Sequence, residues 1–337
     1  MRIAVLSDGA WGTALALNLV ANGHEVTQWG PFPDYLDEMA RTRENSRFLP
    51  GVKLPPELHF EPEMGKAVSG RELLLLATPT QYLRSVLNQL RPLFSPERQL
   101  LVNVAKGIEV ESWLRISQMV TEVLGRTRYA VLSGPSHAEE VSRRVPTAVV
   151  AAAENPADAA LVQRIFLNDN FRVYTSADVV GVELGGALKN VMAIAAGIID
   201  GMKLGDNPKA AMMTRGISEM GRLGELLGGK AQTFSGLSGI GDLIVTATSM
   251  HSRNNRAGIL IGKGESPEQA VKEVGMVVEG INALPAAMEL AAKYNVEMPI
   301  VQTVNAIVKE GMSASDALRT LMDRNRKNEM PQGYEKV

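Results

Sequence analysis

Short apolar runs alternate with helical patterns over the first half of the chain. The runs that predict strands lie at residues 3–6, 25–29, 73–78, 100–105, 129–133, 147–153 and 171–175. Between several of them the apolar positions recur with helical spacing, for example over 11–22, 80–91 and 111–124. Continuously apolar strands separated by helices favour a parallel sheet covered on both faces. We therefore predict a doubly wound, mostly parallel α/β domain over residues 1–176.

The strand pattern ends near residue 177. The remaining chain is rich in Ala, Gly, Met and Leu, with helical periodicity over 180–200, 207–228, 266–273, 282–294, 299–310 and 313–323. An all-helical domain is expected over residues 177–325, followed by a polar tail over 326–337.

The composition narrows the class of protein without identifying it. The 337 residues, 45% of them hydrophobic, suffice for two domains, and a net charge of −2 gives no overall attraction to nucleic acid or membranes. The absence of cysteine excludes disulfides and thiolate chemistry, and the four histidines lack metal-ligand spacing, so no metal site is expected. Neither a signal peptide nor a membrane-spanning segment is predicted, which allows a cytoplasmic location.

An isolated lysine gives the strongest chemical signal. Lys189 lies in a stretch, residues 181–201, that is otherwise almost free of charge. In a helix its neighbours would be Gly185, Gly186, Met192 and Ala193, all small or apolar. Such surroundings lower the pKa of an ammonium group and suit it to proton transfer. The alternative is a lysine whose head reaches solvent from a half-buried helix.

The first predicted strand leads into a glycine-containing turn at the start of a predicted helix. Dinucleotide-binding turns read G-x-G-x-x-G, so that the backbone can approach a pyrophosphate at the helix N-terminus. Here the three positions hold Ser7, Gly9 and Gly12, and Asp8 adds a negative charge. The place of this turn in a βαβ unit favours cofactor binding over a purely structural turn. Residues 28–33, which end the second strand, carry neither the acidic residue typical of NAD enzymes nor an arginine for NADP.

Further polar residues follow the later strands and a glycine-rich segment. Lys106 and the segment 133–141 come after neighbouring predicted strands, at the sheet edge where ligands bind. Asp242 follows a glycine-rich turn, and Arg253 lies between a serine and an asparagine, a set suited to holding a phosphate. The alternative for each of these segments is an ordinary loop of turn-forming residues.

In this order, the segments resemble the bacterial-type NAD(P)-dependent sn-glycerol-3-phosphate dehydrogenase family. The resemblance covers nearly the whole chain, and Ser7 departs from the usual first glycine. It rests on AWGTALA (10–16), RENSRFLPGV (43–52), AKGIE (105–109), SGPSHAEEV (133–141), GALKNVMAIAAGI (186–198), AAMMTRGISEMGRLG (210–224), FSGLSGIGDL (234–243), TSMHSRNNRAG (248–258) and VVEGI (277–281).

The resemblance implies reversible hydride transfer from NAD(P)H to C2 of dihydroxyacetone phosphate, giving sn-glycerol 3-phosphate for phospholipid synthesis. Lys189 is then the proton donor and acceptor, with Asp242 beside it. The implied substrate-binding positions are Lys106, Gly134, Ser136, Lys189, Asp242, Ser252, Arg253 and Asn254. The implied cofactor-binding positions are Gly9, Ala10, Trp11, Gly12, Lys106, Ala138, Arg253, Val277 and Glu279.

The choice of dinucleotide is expected to depend on the residues after the second predicted strand. Pro31 stands where relatives often have a basic residue, which argues against a strong NADP preference, yet NADH and NADPH are not distinguished. The expected partner is the small phosphorylated substrate, bound in a cleft between the two domains. Neither nucleic acid nor membrane insertion is expected, and a homodimer is compatible with the resemblance.

Two other functions are compatible with parts of this pattern. A β-hydroxyacid-type dehydrogenase also pairs a dinucleotide-binding domain with a lysine-bearing helical domain, but it usually has an asparagine four residues after the lysine. Here that position is Ala193, and the amide is adjacent at Asn190. A non-catalytic dinucleotide-sensing protein is motivated by Ser7 and Asp8, although the lysine, aspartate and arginine positions all hold competent residues.

Overall fold

A computed structural model describes residues 1–323, so the predicted polar tail over 326–337 lies outside the described residues. The described strands are β1 (Arg2–Leu6), β2 (Glu25–Trp29), β3 (Glu44–Asn45), β4 (Leu49–Lys53), β5 (Leu58–Phe60), β6 (Leu73–Leu76), β7 (Leu100–Asn103), β8 (Tyr129–Ser133), β9 (Thr147–Ala152) and β10 (Phe171–Ser176). The helices of the first half are α1 (Ala10–Ala21), α2 (Pro33–Thr42), α3 (Met64–Val68), α4 (Thr80–Leu90), α5 (Ile116–Leu124), α6 (Ala138–Ser142) and α7 (Pro156–Phe166).

Helices alone follow β10 in the part of the chain that the structure describes. They are α8 (Val179–Gly201), α9 (Asp206–Leu226), α10 (Ala231–Phe234), α11 (Asp242–Thr248), α12 (Arg253–Gly262), α13 (Pro267–Val274), α14 (Glu279–Lys293), α15 (Pro299–Glu310) and α16 (Ala314–Met322). A single π-helical turn, Leu237–Gly241, leads directly into α11.

Eight strands form one sheet in the order β10-β9-β8-β7-β6-β1-β2-β5. All neighbouring pairs are parallel except β8 and β9. Alternate residues of a strand enter separate apolar clusters, as Leu73 and Leu74 do, because the sheet is covered on both faces. The predicted doubly wound α/β domain followed by a helical domain is therefore confirmed.

Helix α8 forms the centre of the helical domain. It is apolar on all sides because other helices surround it, and nineteen of its residues are buried. By length and composition α8 could cross a membrane, but 94% of its apolar window is buried inside the protein, as in a core helix. A Cβ at Gly197 would lie 2.1 Å from the backbone oxygen of Asn255, so α8 and α12 pack backbone against backbone.

Most differences between prediction and structure are short elements that the sequence did not predict. The seven predicted strands match observed strands to within two residues, but the short strands β3, β4 and β5 were not predicted. Helices α2, α3, α6, α7, α10, α11 and α12 lie outside the helical ranges named from the sequence, and most of them are short. The prediction of helix over 111–124 is wrong for its first five residues, where a bridge between Ile108 and Arg115 closes a loop and α5 begins at Ile116.

Candidate active site

Helix α8 brings Lys189 to the edge of the sheet at which the parallel strands end. Three residues earlier, a Cβ at Gly186 would lie 2.9 Å from the hydroxyl oxygen of Ser133, the last residue of β8. The missing side chain thus lets α8 pack directly against the strand end. Lys189 is only 5% exposed, so the alternative of a lysine that reaches solvent does not describe this side chain.

Two lysines share one buried carboxylate. Lys189 Nζ donates to Asp242 Oδ1 at 3.0 Å, and Lys106 Nζ donates to Asp242 Oδ2 at 2.7 Å. Lys106 also donates to the backbone oxygen of Gly134 at 2.8 Å and to Ser136 Oγ at 3.4 Å. Sequence elements far apart in the chain therefore meet around a carboxylate that is 1% exposed.

The ammonium groups of the two lysines differ in how many hydrogen-bond partners they have. An ammonium group has three donors, and Lys106 has three partners for them in Gly134, Ser136 and Asp242. Lys189 has two partners among the described residues, Asp242 and Thr246. One N–H of Lys189 is therefore available for an oxygen atom of a bound molecule.

The electrostatics of the cluster favour proton exchange at Lys189. Burial lowers the pKa of Lys189 to about 8, against the opposing charge of Asp242 and with the help of the positive charge of Lys106. Burial acts to raise the pKa of Asp242, but the ion pairs with Lys106 and Lys189 outweigh it and hold that pKa below its ordinary value. Asp242 thus stays ionised while Lys189 titrates near neutral pH.

Thr246 belongs to this cluster, although the sequence reasoning did not select it. Its hydroxyl accepts a hydrogen bond from Lys189 Nζ at 2.6 Å and donates to the backbone oxygen of Asp242 at 2.6 Å. The available signal was its position four residues after Asp242, which puts both side chains on one face of a helix. The sequence did not predict that helix, α11, so the four-residue spacing could not be used to select Thr246.

The serine, arginine and asparagine predicted for phosphate binding form the start of α12. Ser252 caps the helix by accepting a hydrogen bond from the backbone N–H of Asn255 at 3.2 Å. Asn254 is engaged within the protein: Nδ2 donates to Asn190 Oδ1 at 2.9 Å, and Oδ1 accepts from the N–H of Gly280 at 2.8 Å. Asn190 is a second residue that the predicted site left out, and here it ties α8 to α12.

Of these three residues, Arg253 carries a charged guanidinium group that is available to bind a ligand. It is partly buried, and among the described residues its guanidinium has no hydrogen bond or ion pair. Burial lowers the pKa of Arg253, and the charges of Glu279 and Glu139 act in the opposite sense. A guanidinium at a helix start with its donors unused is suited to a phosphate group.

The turn after β1 brings the start of α1 close to the end of β6. A Cβ at Gly12 would lie 3.2 Å from Ala77 Cβ, so glycine allows α1 to approach the end of β6. The indole Nε1 of Trp11 is buried without a hydrogen-bond partner in the described chain. The Gly9 N–H, by contrast, is bonded to Ser7 Oγ at 3.0 Å.

The remaining predicted cofactor positions lie on two sides of this turn. Ala10 begins α1, and Ala138 packs in the same apolar cluster as Trp11. Val277 lies just before α14, whose first residue, Glu279, accepts a hydrogen bond at 3.3 Å from the backbone N–H of Thr80. Burial raises the pKa of Glu279, although the charge of Arg253 opposes this.

A cavity of about 1560 Å³ lies among α8, α9, α15 and α16, and none of the predicted site residues lines it. Within residues 1–323 there is no group of three or more His, Asp or Glu side chains placed to hold a metal ion.

Comparison with known proteins identifies relatives along the whole described chain. The model of the NAD-dependent glycerol-3-phosphate dehydrogenase N-terminus matches residues 2–159, and that of the C-terminus matches residues 178–319. A glycerol-3-phosphate dehydrogenase (NAD(P)+) of Lactobacillus delbrueckii subsp. bulgaricus is 50% identical, with 98% of this chain and 99% of the relative covered. The corresponding protein of Moorella thermoacetica is 49% identical, with 98% of each chain covered.

Solved structures agree with these matches. The crystal structure of glycerol-3-phosphate dehydrogenase from Coxiella burnetii superposes with a TM-score of 0.92 at 37% identity, covering 96% of this chain and 99% of the other. D-mandelate dehydrogenase superposes with a TM-score of 0.64 at 13% identity, covering 96% of this chain and 100% of the other, and shares the fold alone.

Proposed function

The chain belongs to the NAD-dependent glycerol-3-phosphate dehydrogenase family, and we propose that Lys189 moves the proton in its reaction. The enzyme reduces dihydroxyacetone phosphate to sn-glycerol 3-phosphate with NADH or NADPH, reversibly, and the product is a precursor of phospholipids. The observation that carries the assignment of Lys189 is its one unused N–H beside an ionised Asp242.

The proton step follows from the geometry of the cluster. In reduction, Lys189 donates the unused N–H to the C2 oxygen as negative charge develops there, and the neutral amine then recovers a proton from solvent. In the reverse direction the neutral amine accepts the hydroxyl proton of sn-glycerol 3-phosphate. A pKa of about 8 lets Lys189 serve both directions near neutral pH. Asp242 orients the ammonium and keeps it from losing its proton too easily.

Lys106 and Ser136 line the same end of the cleft. Their positions beside Gly134, at the end of β8, support contact with the substrate hydroxyl and with the nicotinamide side of the cofactor. Arg253 is proposed to hold the phosphate group, with Ser252 beside it. We assign Asn254 to the same site, where its bonds to Asn190 and Gly280 fix the start of α12.

The dinucleotide is proposed to bind along the turn after β1, held by Gly9, Ala10, Trp11 and Gly12 with Ala138 beside them. On the helical domain, the residues that would contact the dinucleotide are Val277, Glu279 and Arg253. Bound NADH or NADPH supplies the hydride that C2 accepts. The buried Trp11 Nε1 without a partner and the close approach at Gly12 support this placement.

The domain division is proposed as 1–176 for dinucleotide binding and 177–325 for the helical domain. It is supported by the end of β10 at Ser176 and the start of α8 at Val179. The site then lies between the two domains, and closure of that cleft would exclude water and position the carbonyl.

We further propose a cytoplasmic enzyme that forms a homodimer and binds neither nucleic acid nor membranes. The exposed apolar residues Leu226 and Met322, which line the cavity of the helical domain, support self-association of that face. Light scattering of the purified protein gives the mass directly, and a monomeric mass at micromolar concentration would refute the dimer.

Two other functions are less well supported by the site. A β-hydroxyacid-type enzyme would use an amide four residues after the lysine, but Ala193 is fully buried there and Asn190 binds Asn254 instead. A sensor without turnover would have no need for a lysine of lowered pKa held by Asp242 and Thr246.

Initial rates separate these possibilities. Dihydroxyacetone phosphate should support saturable oxidation of NADH or NADPH, and unphosphorylated dihydroxyacetone should support it far less well. A folded protein that binds dinucleotide but turns over neither substrate would be a sensor. Preference for a 3-keto or 3-hydroxy carboxylate over the phosphorylated ketone would favour the β-hydroxyacid enzyme.

A further inference from the structure

Asp8, in the turn after β1, lies directly against Gly30, the residue after β2. A Cβ at Gly30 would lie 2.7 Å from Asp8 Cβ and 2.8 Å from both Cγ and Oδ2. The two residues meet because β1 and β2 are parallel neighbours, with Leu6 opposite Trp29. Only a glycine at position 30 leaves room for the Asp8 side chain in this place.

The carboxylate of Asp8 is buried and incompletely bonded. Asp8 is 7% exposed, and its Oδ2 has no hydrogen-bond partner among the described residues. Burial raises the pKa of Asp8, while the nearby charge of Arg47 lowers it. Arg47 makes no ion pair with Asp8 in the described chain, and its guanidinium stacks over the ring of Tyr35 at 4.3 Å. A buried carboxylate oxygen without a donor is costly unless a ligand provides one.

Hydrogen bonds from three neighbouring elements hold the backbone around Asp8 in place. Asn45 Nδ2 donates to the backbone oxygen of Asp8 at 2.7 Å, and Gln28 Nε2 donates to that of Ser7 at 2.8 Å. Both amides also bond to Thr13 Oγ1, at 2.8 and 2.9 Å. Residues from β2, β3 and α1 therefore hold the turn in one conformation.

In dinucleotide-binding folds, an acidic residue at the end of the second strand binds the hydroxyls of the adenosine ribose and disfavours a 2′-phosphate. Here Gly30 and Pro31 follow that strand, so the sequence lacks this residue in its usual place. We propose that Asp8 supplies the missing carboxylate from the turn after β1 and thereby makes the enzyme select NADH over NADPH. This inference rests on the proposed binding of a dinucleotide at the same turn.

The direction of the preference follows from charge. Ribose hydroxyls would donate to the Asp8 carboxylate, whereas a 2′-phosphate would bring further negative charge against a carboxylate shielded from water. The exposed Arg47 lies over the ring of Tyr35 and donates no hydrogen bond to Asp8 Oδ2 among the described residues. The selection therefore depends on Asp8 itself.

Equilibrium binding without substrate tests the proposal. Dissociation constants for NADH and NADPH are measured by calorimetry for the wild-type enzyme, for Asp8→Asn, and for Asp37→Asn as a control that removes an exposed carboxylate from α2. Wild type should bind NADH more tightly. Asp8→Asn, which keeps the shape of the side chain, should weaken NADH binding at least about tenfold, the lower end for a hydrogen bond to a charged group. Its NADPH binding should stay the same or improve, and Asp37→Asn should match wild type.

The outcomes are distinguishable. Equal affinities of the wild type for the two dinucleotides, or equal losses in Asp8→Asn, would overturn the selection by Asp8 but leave dinucleotide binding intact. Failure of the wild type to bind either dinucleotide would overturn the proposed function and this inference with it. Thermal unfolding confirms that Asp8→Asn is folded, and Asp8→Ser serves as a second variant if the asparagine variant is not.

Discussion

Replacement of Lys189 by alanine removes the proposed proton donor and changes little else in the cluster. Asp242 keeps the ion pair with Lys106 at 2.7 Å, so the substitution does not leave a buried carboxylate without a counter-charge. The protein should therefore remain folded. General acid–base catalysis contributes about 10²–10⁴-fold, which corresponds to roughly 2.7–5.4 kcal/mol of transition-state stabilisation. We expect kcat for dihydroxyacetone phosphate reduction to fall by that factor.

Binding and rate have to be measured separately for this variant. Lys189 is not among the residues proposed to contact the dinucleotide, so the dissociation constant for NADH should change by less than about twofold. Lys272→Ala, which removes an exposed lysine from α13, is the matched control and should retain wild-type kcat. A small primary amine added to Lys189→Ala should restore part of the rate, because it can occupy the vacated space and donate a proton. An unchanged kcat, or a loss of NADH affinity as large as the loss of rate, would refute the role of Lys189.

Three further substitutions test other parts of the account. Arg253→Ala should lower kcat/KM for the phosphorylated ketone more than kcat/KM for unphosphorylated dihydroxyacetone, because loss of a dinucleotide contact affects both substrates and loss of a phosphate contact only the first. The difference should correspond to about 1.5–3 kcal/mol of transition-state stabilisation. Arg256→Ala on the same helix is the control, and equal effects on both substrates would argue against a phosphate contact. Asp242→Asn leaves two lysines without their shared counter-charge, so the pKa of the proton donor should fall below its wild-type value; an unchanged pH profile would contradict that. Gly197→Ala should lower the melting temperature because its Cβ would lie 2.1 Å from a backbone oxygen, whereas Gly221→Ala, with open space around it, should not.

The fold was predictable to the extent that its elements are long and regularly patterned. Strands β1, β6, β7, β8 and β9 are mostly apolar in sequence and largely buried, and α8 has a long apolar pattern, so the sequence predicts them. Strand β5, at the sheet edge, has three residues and no such pattern. Helix α12 begins with four polar residues, Arg253 to Arg256, two of which are buried through hydrogen bonds that only the folded chain provides.

The site was predictable where a residue was unusual for its local sequence. Lys189 attracted notice because its surroundings are apolar, which is a property of the sequence itself. The roles of Thr246 and Asn190 depend on which helices face them, and no local pattern contains that information. The position of Asp8 against Gly30 similarly depends on the pairing of β1 with β2. The sequence alone therefore indicated a negative charge in the turn that is proposed to bind the dinucleotide. It did not indicate that the Asp8 side chain lies against Gly30.

The pH dependence of the reaction tests the central claim, that Lys189 transfers the proton, most directly. Reduction needs the protonated lysine, so kcat/KM for dihydroxyacetone phosphate should be constant below a pKa of about 8 and fall tenfold for each pH unit above it. Oxidation of sn-glycerol 3-phosphate needs the neutral amine and should rise through the same pH. A reduction rate that stays constant up to the ordinary lysine pKa of 10.5 would contradict the claim.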